Sequence, residues 1–380
     1  MAELCGGCDL PSWEIFGKFH GQLPGNSANA LQFLREHGVL PSRVWCPRCG
    51  VPCHLRKDSP RWYCSSYTVD KNSRKRIRCN FSISDYKDTF FERAHVEPWK
   101  VVLFVNHWLR KHWDHAEVIN NLKFSTETSV QWRKNCSLVT ETWLERQEAI
   151  GGHGVVVEID RKLVWKRRPK EGKSKNQVWV FGGIERQTKR SFVIPFIDKI
   201  GREAVLPAIT ENILPGSVVA CGAWGASLPL QKLGYTLIIA QEEEEEEESE
   251  ESNELHALST PKTQEVKEEA RYNLFTPKEE ADTPDTHPFT HTLTNSITEE
   301  SNTPDTASAH LLPHTHTIRE LWQDLKDWVR RPGMRSEYLK EYISRFLFIR
   351  HHKEQHLHHF FTEVAHYFPP HAHLTKPDLT

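Results

Sequence analysis

The sequence predicts an α+β protein of several domains, and three observations support that prediction. Seven of the nine cysteines lie within the first 79 residues of the 380-residue chain. Between residues 154 and 240, short β-branched runs alternate with a helical pattern, which is typical of a sheet covered by helices. Residues 242–305 hold 20 acidic against 4 basic side chains. Such a stretch buries too little apolar surface to offset chain ordering, so 241–310 is expected to be a disordered acidic insertion.

The overall charge balance conceals a strong asymmetry. The formal net charge is −2, and removing the acidic insertion leaves about +14 on the rest of the chain. A body of that charge suits a polyanion such as nucleic acid. No apolar run approaches the roughly 20 residues of a membrane span, and the first residues lack the pattern of a secretory signal. We therefore expect no membrane association, reduced cysteines, and a nuclear location in a eukaryote or otherwise a cytoplasmic one.

A metal half-site is indicated by Cys46–Cys49, because a Cys-x-x-Cys turn followed by glycine is typical of a zinc ribbon. The ribbon is expected to occupy residues 43–92, after an N-terminal helical segment at 1–42. The alternative is a group of reduced, buried thiols. Cys5–Cys8 is another pair with the same spacing, without an evident second pair. The further candidate ligands near the half-site are Cys53, His54, Cys64 and Cys79.

The region 97–148 is predicted to be helical. One helix begins at Pro98, a residue that is favoured in the first turn of a helix. A short helix at 114–122 and a longer one at 125–146 are separated by a tight turn, which is the helix-turn-helix pattern. The alternative is an ordinary helical bundle. The candidate DNA contacts on the longer helix are Gln131, Arg133 and Lys134.

Residues 154–240 are predicted to form the first part of a core with a mixed sheet. Three consecutive runs suit antiparallel strands, a helix follows at 204–212, and two further strands complete the order. The predicted strands lie at 155–159, 177–182, 191–197, 218–220 and 237–239. This order is typical of an RNase H-like core. Helices within 314–368 are expected to complete it after the insertion.

A basic cluster separates the first two predicted strands. Residues 161–175 hold eight basic side chains and one acidic side chain. A cluster of this kind suits contact with a nucleic-acid backbone. The alternative is a solvated hairpin tip. The candidate DNA contacts within it are Lys166, Arg167 and Arg168.

A series of short motifs follows a fixed order along the chain. They are Val157–Asp160, Trp179–Arg186, Leu214–Gly216, Trp224, Leu233–Thr236, His314–Ile318, Leu321–Trp322 and Leu325–Lys326. In order and spacing, these motifs resemble the DDE transposases of Merlin-type eukaryotic transposons and of bacterial ISXO-type insertion sequences. The resemblance covers roughly residues 30–350 outside the acidic insertion. It implies an RNase H-like transposase core that binds duplex DNA.

The resemblance also implies where catalytic metal ligands would stand. In that family three carboxylates hold two Mg²⁺ ions, which clamp a phosphodiester for in-line attack. The three positions correspond here to Asp160, Gly222 and Arg319. One carboxylate remains, and a guanidinium repels a cation at short range. The chain is therefore expected to be a transposase-derived DNA-binding protein that cannot catalyse transposition.

Two alternatives stay open. An active transposase would need Mg²⁺ and substitute carboxylates, such as Glu320, Glu158 or an acid of the insertion. An interaction scaffold would bind basic nuclear proteins through its acidic insertion. Self-association is compatible with each of these possibilities.

The zinc ribbon of the resembled family places its second ligand pair after a Trp-x and before a Ser-Ile strand. The matching residues are Cys64 and Cys79, so the expected structural zinc site is Cys46, Cys49, Cys64 and Cys79. Near the C-terminus, histidines recur with helical spacing and are predicted to share one helical face, either solvated or bound to metal. They are His352, His356 and His359.

Overall fold

The computed structural model describes residues 12–21, 26–56, 59–69, 74–110, 115–166, 177–197, 201–240, 315–329 and 338–370. All of them belong to one compact unit, which is formed by residues 1–241 and 313–380. A second unit, 242–312, lies outside the described residues, as does the predicted acidic insertion. The described part contains both helices and sheets, which confirms the predicted mixture of α and β structure.

The strands and helices alternate in groups along the chain. The strands are β1 (His54–Leu55), β2 (Arg61–Tyr63), β3 (Tyr67–Val69), β4 (Arg76–Arg78), β5 (Ser82–Ser84), β6 (Ile150–Gly151), β7 (Val156–Lys166), β8 (Gln177–Glu185), β9 (Ser191–Ile197), β10 (Ile213–Leu214), β11 (Val218–Cys221) and β12 (Thr236–Ile239). The helices are α1 (Ser12–Phe19), α2 (Asn26–Glu36), α3 (Pro98–Trp108), α4 (His115–Leu122), α5 (Thr126–Glu145), α6 (Arg202–Asn212), α7 (His316–Val329), α8 (Leu339–His352) and α9 (His356–Tyr367).

A five-stranded mixed sheet forms the centre of the fold, in the order β12-β11-β7-β8-β9. The strands β7, β8 and β9 are consecutive and antiparallel, as the sequence predicts. The strand β11 runs parallel to β7, and β12 runs parallel to β11. The crossover to β11 contains α6, since a parallel neighbour cannot be reached through a tight turn.

The two faces of β7 pack against different helices. Val157 and Ile159 are fully buried in a core that includes Ile209 of α6. Side chains alternate along a strand, so Glu158 and Asp160 point to the opposite face. That face is covered by α7, whose residues contact both carboxylates. Because this second face is covered as well, its two carboxylates need partners within the protein.

The N-terminal and C-terminal helices share one hydrophobic core with this second face of the sheet. The ring of Phe33 in α2 contacts Phe361 in α9 at 5.5 Å between centroids. Trp143 in α5 meets Phe348 in α8 at 5.1 Å. Segments that look separate in sequence therefore stabilise one another. Within the described ranges, no helix is both long and apolar enough to cross a membrane.

The predicted histidine face near the C-terminus is wrong. The helix is interrupted between α8 and α9, because Lys353 and Gln355 adopt left-handed backbone angles with φ of 55° and 53°. His352 and His356 consequently lie on different helices. The rings of His352 and His359 still stack at 4.0 Å, because the two helices pack side by side. Burial lowers the pKa of His352 to about 3 and also lowers the pKa of His359, so both rings of the stacked pair favour the neutral form.

Candidate functional site

The first half of the cysteine site is a tight turn. Cys46 and Cys49 flank Pro47 and Arg48, and the backbone N–H of Gly50 donates to the carbonyl of Cys46 at 2.8 Å. Gly50 has a φ of 65°, a left-handed conformation that glycine adopts without steric cost. The turn therefore directs both thiols toward the same side.

The second half brings together two cysteines that are distant in sequence. Cys64 follows β2, and its N–H donates to the carbonyl of Phe81 at 3.0 Å. Cys79 follows β4, and its N–H donates to the carbonyl of Ser66 at 2.8 Å. These two backbone bonds hold the cysteines opposite each other on adjacent chain segments.

The four sulfur atoms of Cys46, Cys49, Cys64 and Cys79 all lie within 4.8 Å of one another. The Sγ atoms of Cys46 and Cys79 are 3.7 Å apart. A tetrahedral ion with metal–sulfur distances of about 2.3 Å separates its sulfur ligands by roughly 3.8 Å. The cluster can therefore hold a metal ion such as zinc. Three of the four residues are buried in a small core of their own, which limits access of water.

The competing ligands lie outside this group. Cys53 is buried in the same core, and burial raises the pKa of its thiol to about 12. His54 is exposed on β1. A hydrogen bond with the Cys79 thiol also raises the pKa of Cys49 to about 12, so the clustering of the sulfur atoms, and not the pKa, separates Cys53 from the ligands. Within the cluster, the N–H of Phe81 stabilises the thiolate of Cys79 and lowers its pKa to about 7. A thiolate is the form that binds metal. Cys5 and Cys8 lie outside the described residues.

A second constellation surrounds Asp160 on β7. The indole Nε1 of Trp322 in α7 donates to Oδ2 of Asp160 at 2.9 Å. Burial raises the pKa of the Asp160 carboxyl, and the hydrogen bond from Trp322 opposes that rise. The side chain is therefore a mostly desolvated carboxylate whose orientation is fixed by α7.

Gly222 follows directly after β11, the strand that pairs with β7. The parallel register pairs Val219 with Val157 and Ala220 with Glu158, and two further residues bring Gly222 level with Asp160. Gly222 is buried at the start of the 3₁₀ turn Ala223–Ser227. It has no side chain, so it adds no ligand to Asp160.

Arg319 lies on α7, three residues before Trp322. Residues three apart share one side of a helix, so Arg319 belongs to the turn that packs over Asp160. Its side chain is half-buried. Asp160 therefore lies on β7, Gly222 follows the neighbouring strand β11, and Arg319 lies on the helix that packs over β7; together these residues offer one carboxylate and one guanidinium. Among the described residues, a group of three or more side chains placed to hold a metal ion is found at the cysteine cluster and not around Asp160.

Glu158 is fully buried and both its oxygens are engaged. Nε of Arg186 donates to Oε1 at 2.7 Å, and the backbone N–H of Ile318 donates to Oε2 at 2.9 Å. The second bond satisfies one of the unpaired N–H groups in the first turn of α7. This pairing was not foreseen from sequence. A glutamate inside an apolar strand signals that a buried partner exists, but not which residue it is.

The candidate DNA contacts on α5 fall into different environments. Arg133 forms an ion pair with Glu341 at 3.1 Å and covers the ring of Tyr338 at 4.3 Å. Lys134 is exposed, and Gln131 donates to Asn135 at 2.9 Å on the surface. Much of the Arg133 guanidinium is therefore used within the fold. Lys166 ends β7, its side chain is not described, and Arg167 and Arg168 lie outside the described residues.

No family model, curated protein or solved structure matches this chain. Its function therefore has to be inferred from the site geometry and the motifs.

Proposed function

We propose that this chain is an ISXO/Merlin-like, transposase-derived DNA-binding protein that cannot catalyse transposition. The observation that supports this most directly is the placement of the three positions on adjacent elements: Asp160 on β7, Gly222 just after the neighbouring β11, and Arg319 on α7, whose Trp322 donates to Asp160. These are the positions that the motif resemblance assigns to three metal-binding acids. Such a placement is what a degraded three-carboxylate site would leave behind.

The sheet order gives independent support. If the strands of the central sheet are numbered from β7, omitting β10, the order is 5-4-1-2-3, with the first three antiparallel and the last two parallel to the first. This arrangement is the one expected of an RNase H-like core. The first strand, the fourth strand and a later helix carry the three positions, as in the resembled transposases.

Electrostatics argue against catalysis at this site. A pair of Mg²⁺ ions needs several oxygen ligands with negative charge. Asp160 supplies one carboxylate, and burial raises its pKa, so the unpaired charge is already costly. Arg319 adds a positive charge where the resemblance expects a ligand. A divalent cation would be held weakly by such a set.

The substitute carboxylates are poorly suited to the active alternative. Glu158 has both oxygens engaged in the protein interior. Glu320 is 53% exposed and lies 3.6 Å from His316 on the outer side of α7. Adjacent positions on a helix are about 100° apart, so Glu320 is turned away from the side that carries Arg319. These two glutamates therefore favour the proposal of a protein that binds DNA without cleaving it.

We further propose that the ion of the cysteine cluster is zinc with a structural role. Four thiolates form a closed set, which leaves no open coordination position for a substrate. The surrounding segment has few other core residues, so the metal would stabilise it. DNA would be bound by the basic body, with Lys134 as a contact and with further contacts in 161–175.

The deciding experiment is a strand-nicking assay with supercoiled and linear duplex DNA in Mg²⁺ and in Mn²⁺. Three proteins are compared: the unaltered chain, Gly222→Asp with Arg319→Glu, and the same pair with Asp160→Ala. We expect no nicking by the unaltered chain. Nicking by the double variant alone would support the assignment of the three positions. Nicking by the unaltered chain that Asp160→Ala abolishes would contradict the inactive proposal.

A further inference from the structure

A two-stranded ribbon leaves the cysteine site between two of its ligands. Cys64 precedes β3, and Cys79 follows β4. The strands β3 and β4 are antiparallel, and β2 and β5 on the other side of the cysteines are also paired. The ribbon is therefore a continuation of the metal module. Its base is fixed by the four clustered sulfur atoms and by the backbone bonds of Cys64 and Cys79.

One face of this ribbon combines positive charge with apolar surface. The register pairs Tyr67 with Arg78 and Val69 with Arg76, and cross-strand partners point to the same side. Tyr67 is 54% exposed and Val69 is 62% exposed. Arg76 and Arg78 are exposed as well, and the Arg76 guanidinium lies 5.1 Å from the Tyr67 ring centroid.

In the described part of the ribbon every charged side chain is basic, and Asp70, between the two strands in sequence, lies outside that part. Arg74 and Lys75 are also exposed, and the described residues 64–69 and 74–79 contain no acidic side chain. A two-stranded ribbon on its own is marginally stable in water, and exposed apolar residues do not improve it. A face that carries both positive charge and apolar side chains is complementary to a nucleic acid, which has anionic phosphates and apolar surface on its sugars and bases.

We propose that the ribbon, residues 67–69 and 74–78, binds in the major groove of duplex DNA. The groove of B-form DNA is wide enough to admit a two-stranded ribbon. Arg76 and Arg78 would donate to phosphates or to guanine edges, while Val69 and Tyr67 contact sugars or thymine methyl groups. This inference deepens the proposed DNA-binding function and rests on it.

A single strand fits the ribbon less well than a duplex. Proteins that bind single strands stack bases on open aromatic rings. Tyr67 is the sole aromatic residue among the described ribbon residues, and Arg76 already covers its ring. Arg76 and Arg78 are alternate residues of one strand, so they lie on the same face of the ribbon. Because β-ribbons are twisted, such a row of arginines can follow the curved phosphate backbone at the edge of a groove.

The test measures binding of the full chain, loaded with zinc, to a duplex DNA library across a salt titration. The ribbon variant is Arg76→Ala with Arg78→Ala. The matched control is Arg43→Ala with Arg93→Ala, two exposed arginines outside the ribbon. We expect the ribbon variant to bind at least about tenfold more weakly, and the slope of log affinity against log salt to fall by about 2. The control should remain close to the unaltered chain.

Groove choice is tested by competition. Methyl green, a ligand of the major groove, should displace the unaltered chain from DNA. Netropsin, which fills the minor groove, should not.

If the unaltered chain binds duplex DNA but the ribbon variant binds as tightly as the control variant, the ribbon proposal fails and the proposed function stands. If the unaltered chain does not bind duplex DNA at all, both fail. Tighter binding to a single strand, removed by Tyr67→Ala, would overturn the duplex assignment.

Discussion

Arg186 donates from Nε to Oε1 of Glu158 at 2.7 Å, in a region where both side chains are almost completely buried. The pair connects the residue that follows β8 to the first part of β7, and through Glu158 Oε2 it also connects to the start of α7. The carboxylate of Glu158 therefore holds together β7, the end of β8 and the start of α7, which surround Asp160. The pair is a structural support for the site and not a part of its chemistry.

Arg186→Met is predicted to destabilise the fold strongly. The substitution leaves the Glu158 carboxylate buried with one of its two partners lost, which costs about 3 to 5 kcal/mol. Glu158→Gln with Arg186→Met removes both charges and should recover a part of that loss. Urea denaturation at neutral pH measures both changes. Equal stability of Arg186→Met and the unaltered chain would contradict the buried pairing.

Metal analysis of the purified chain is predicted to find about one zinc per chain. Four clustered thiols form a complete ligand set, and structural zinc of this type is bound tightly. Cys46→Ser with Cys49→Ser should abolish retention of the metal. Cys53→Ala is the control, since that cysteine shares the same core but lies outside the cluster. Loss of zinc in the control alone would contradict the ligand assignment.

Asp160→Asn is predicted to raise the stability at neutral pH by roughly 1 kcal/mol. Burial raises the pKa of Asp160, so its ionised form is disfavoured in the folded state. Asparagine keeps an oxygen that can accept from Trp322 and removes the charge. The gain should shrink as the pH falls through the raised pKa, because the unaltered Asp160 then becomes neutral as well. Chemical denaturation at a series of pH values measures the difference. A gain that is constant from neutral to acidic pH would show that desolvated charge is not its cause.

Arg133 and Lys134 are adjacent in sequence, but their replacement by alanine is predicted to have different effects on stability and on DNA binding. Arg133→Ala leaves Glu341, whose side chain is 10% exposed, without its ion-pair partner, so the fold should lose about 1 to 3 kcal/mol. Lys134→Ala should leave the stability unchanged and weaken DNA binding. Thermal unfolding and a binding titration of both variants separate the two effects. A stable Arg133→Ala protein would contradict the internal role of this arginine.

Local signals in the sequence were sufficient for the main elements of the core. Alternating and β-branched runs predicted β7, β8 and β9, and Pro98 marked the start of α3. Ser125 caps α5 by accepting from the N–H of Thr128 at 3.2 Å. The Cys-x-x-Cys spacing indicated half of the metal site. These features depend on neighbouring residues, which is why sequence reasoning can identify them.

Other features depend on residues that meet only after folding. Glu341 lies on α8, far along the chain from Arg133, so its ion pair has no local signature. The ribbon of β3 and β4 was not predicted, because its strands are three residues long and exposed. The break between α8 and α9 contains neither glycine nor proline. Packing of the two helices, not a local breaker, determines where the chain turns.

Deleting residues 242–305 is predicted to tighten binding to duplex DNA. The segment has 20 acidic and 4 basic side chains, and the remaining chain carries an excess of positive charge. A tethered polyanion competes with DNA for basic surface at high effective concentration. The gain should be largest at low salt, where screening is weakest, and should decline as salt is added.

The control replaces the segment with a neutral glycine- and serine-rich linker of equal length. This variant should behave like the deletion, because the charge is absent in both. Fluorescence anisotropy over a salt titration provides the measurement. Equal affinity of all three proteins at every salt concentration would show that the acidic segment does not compete with DNA, and that it has an external partner or none.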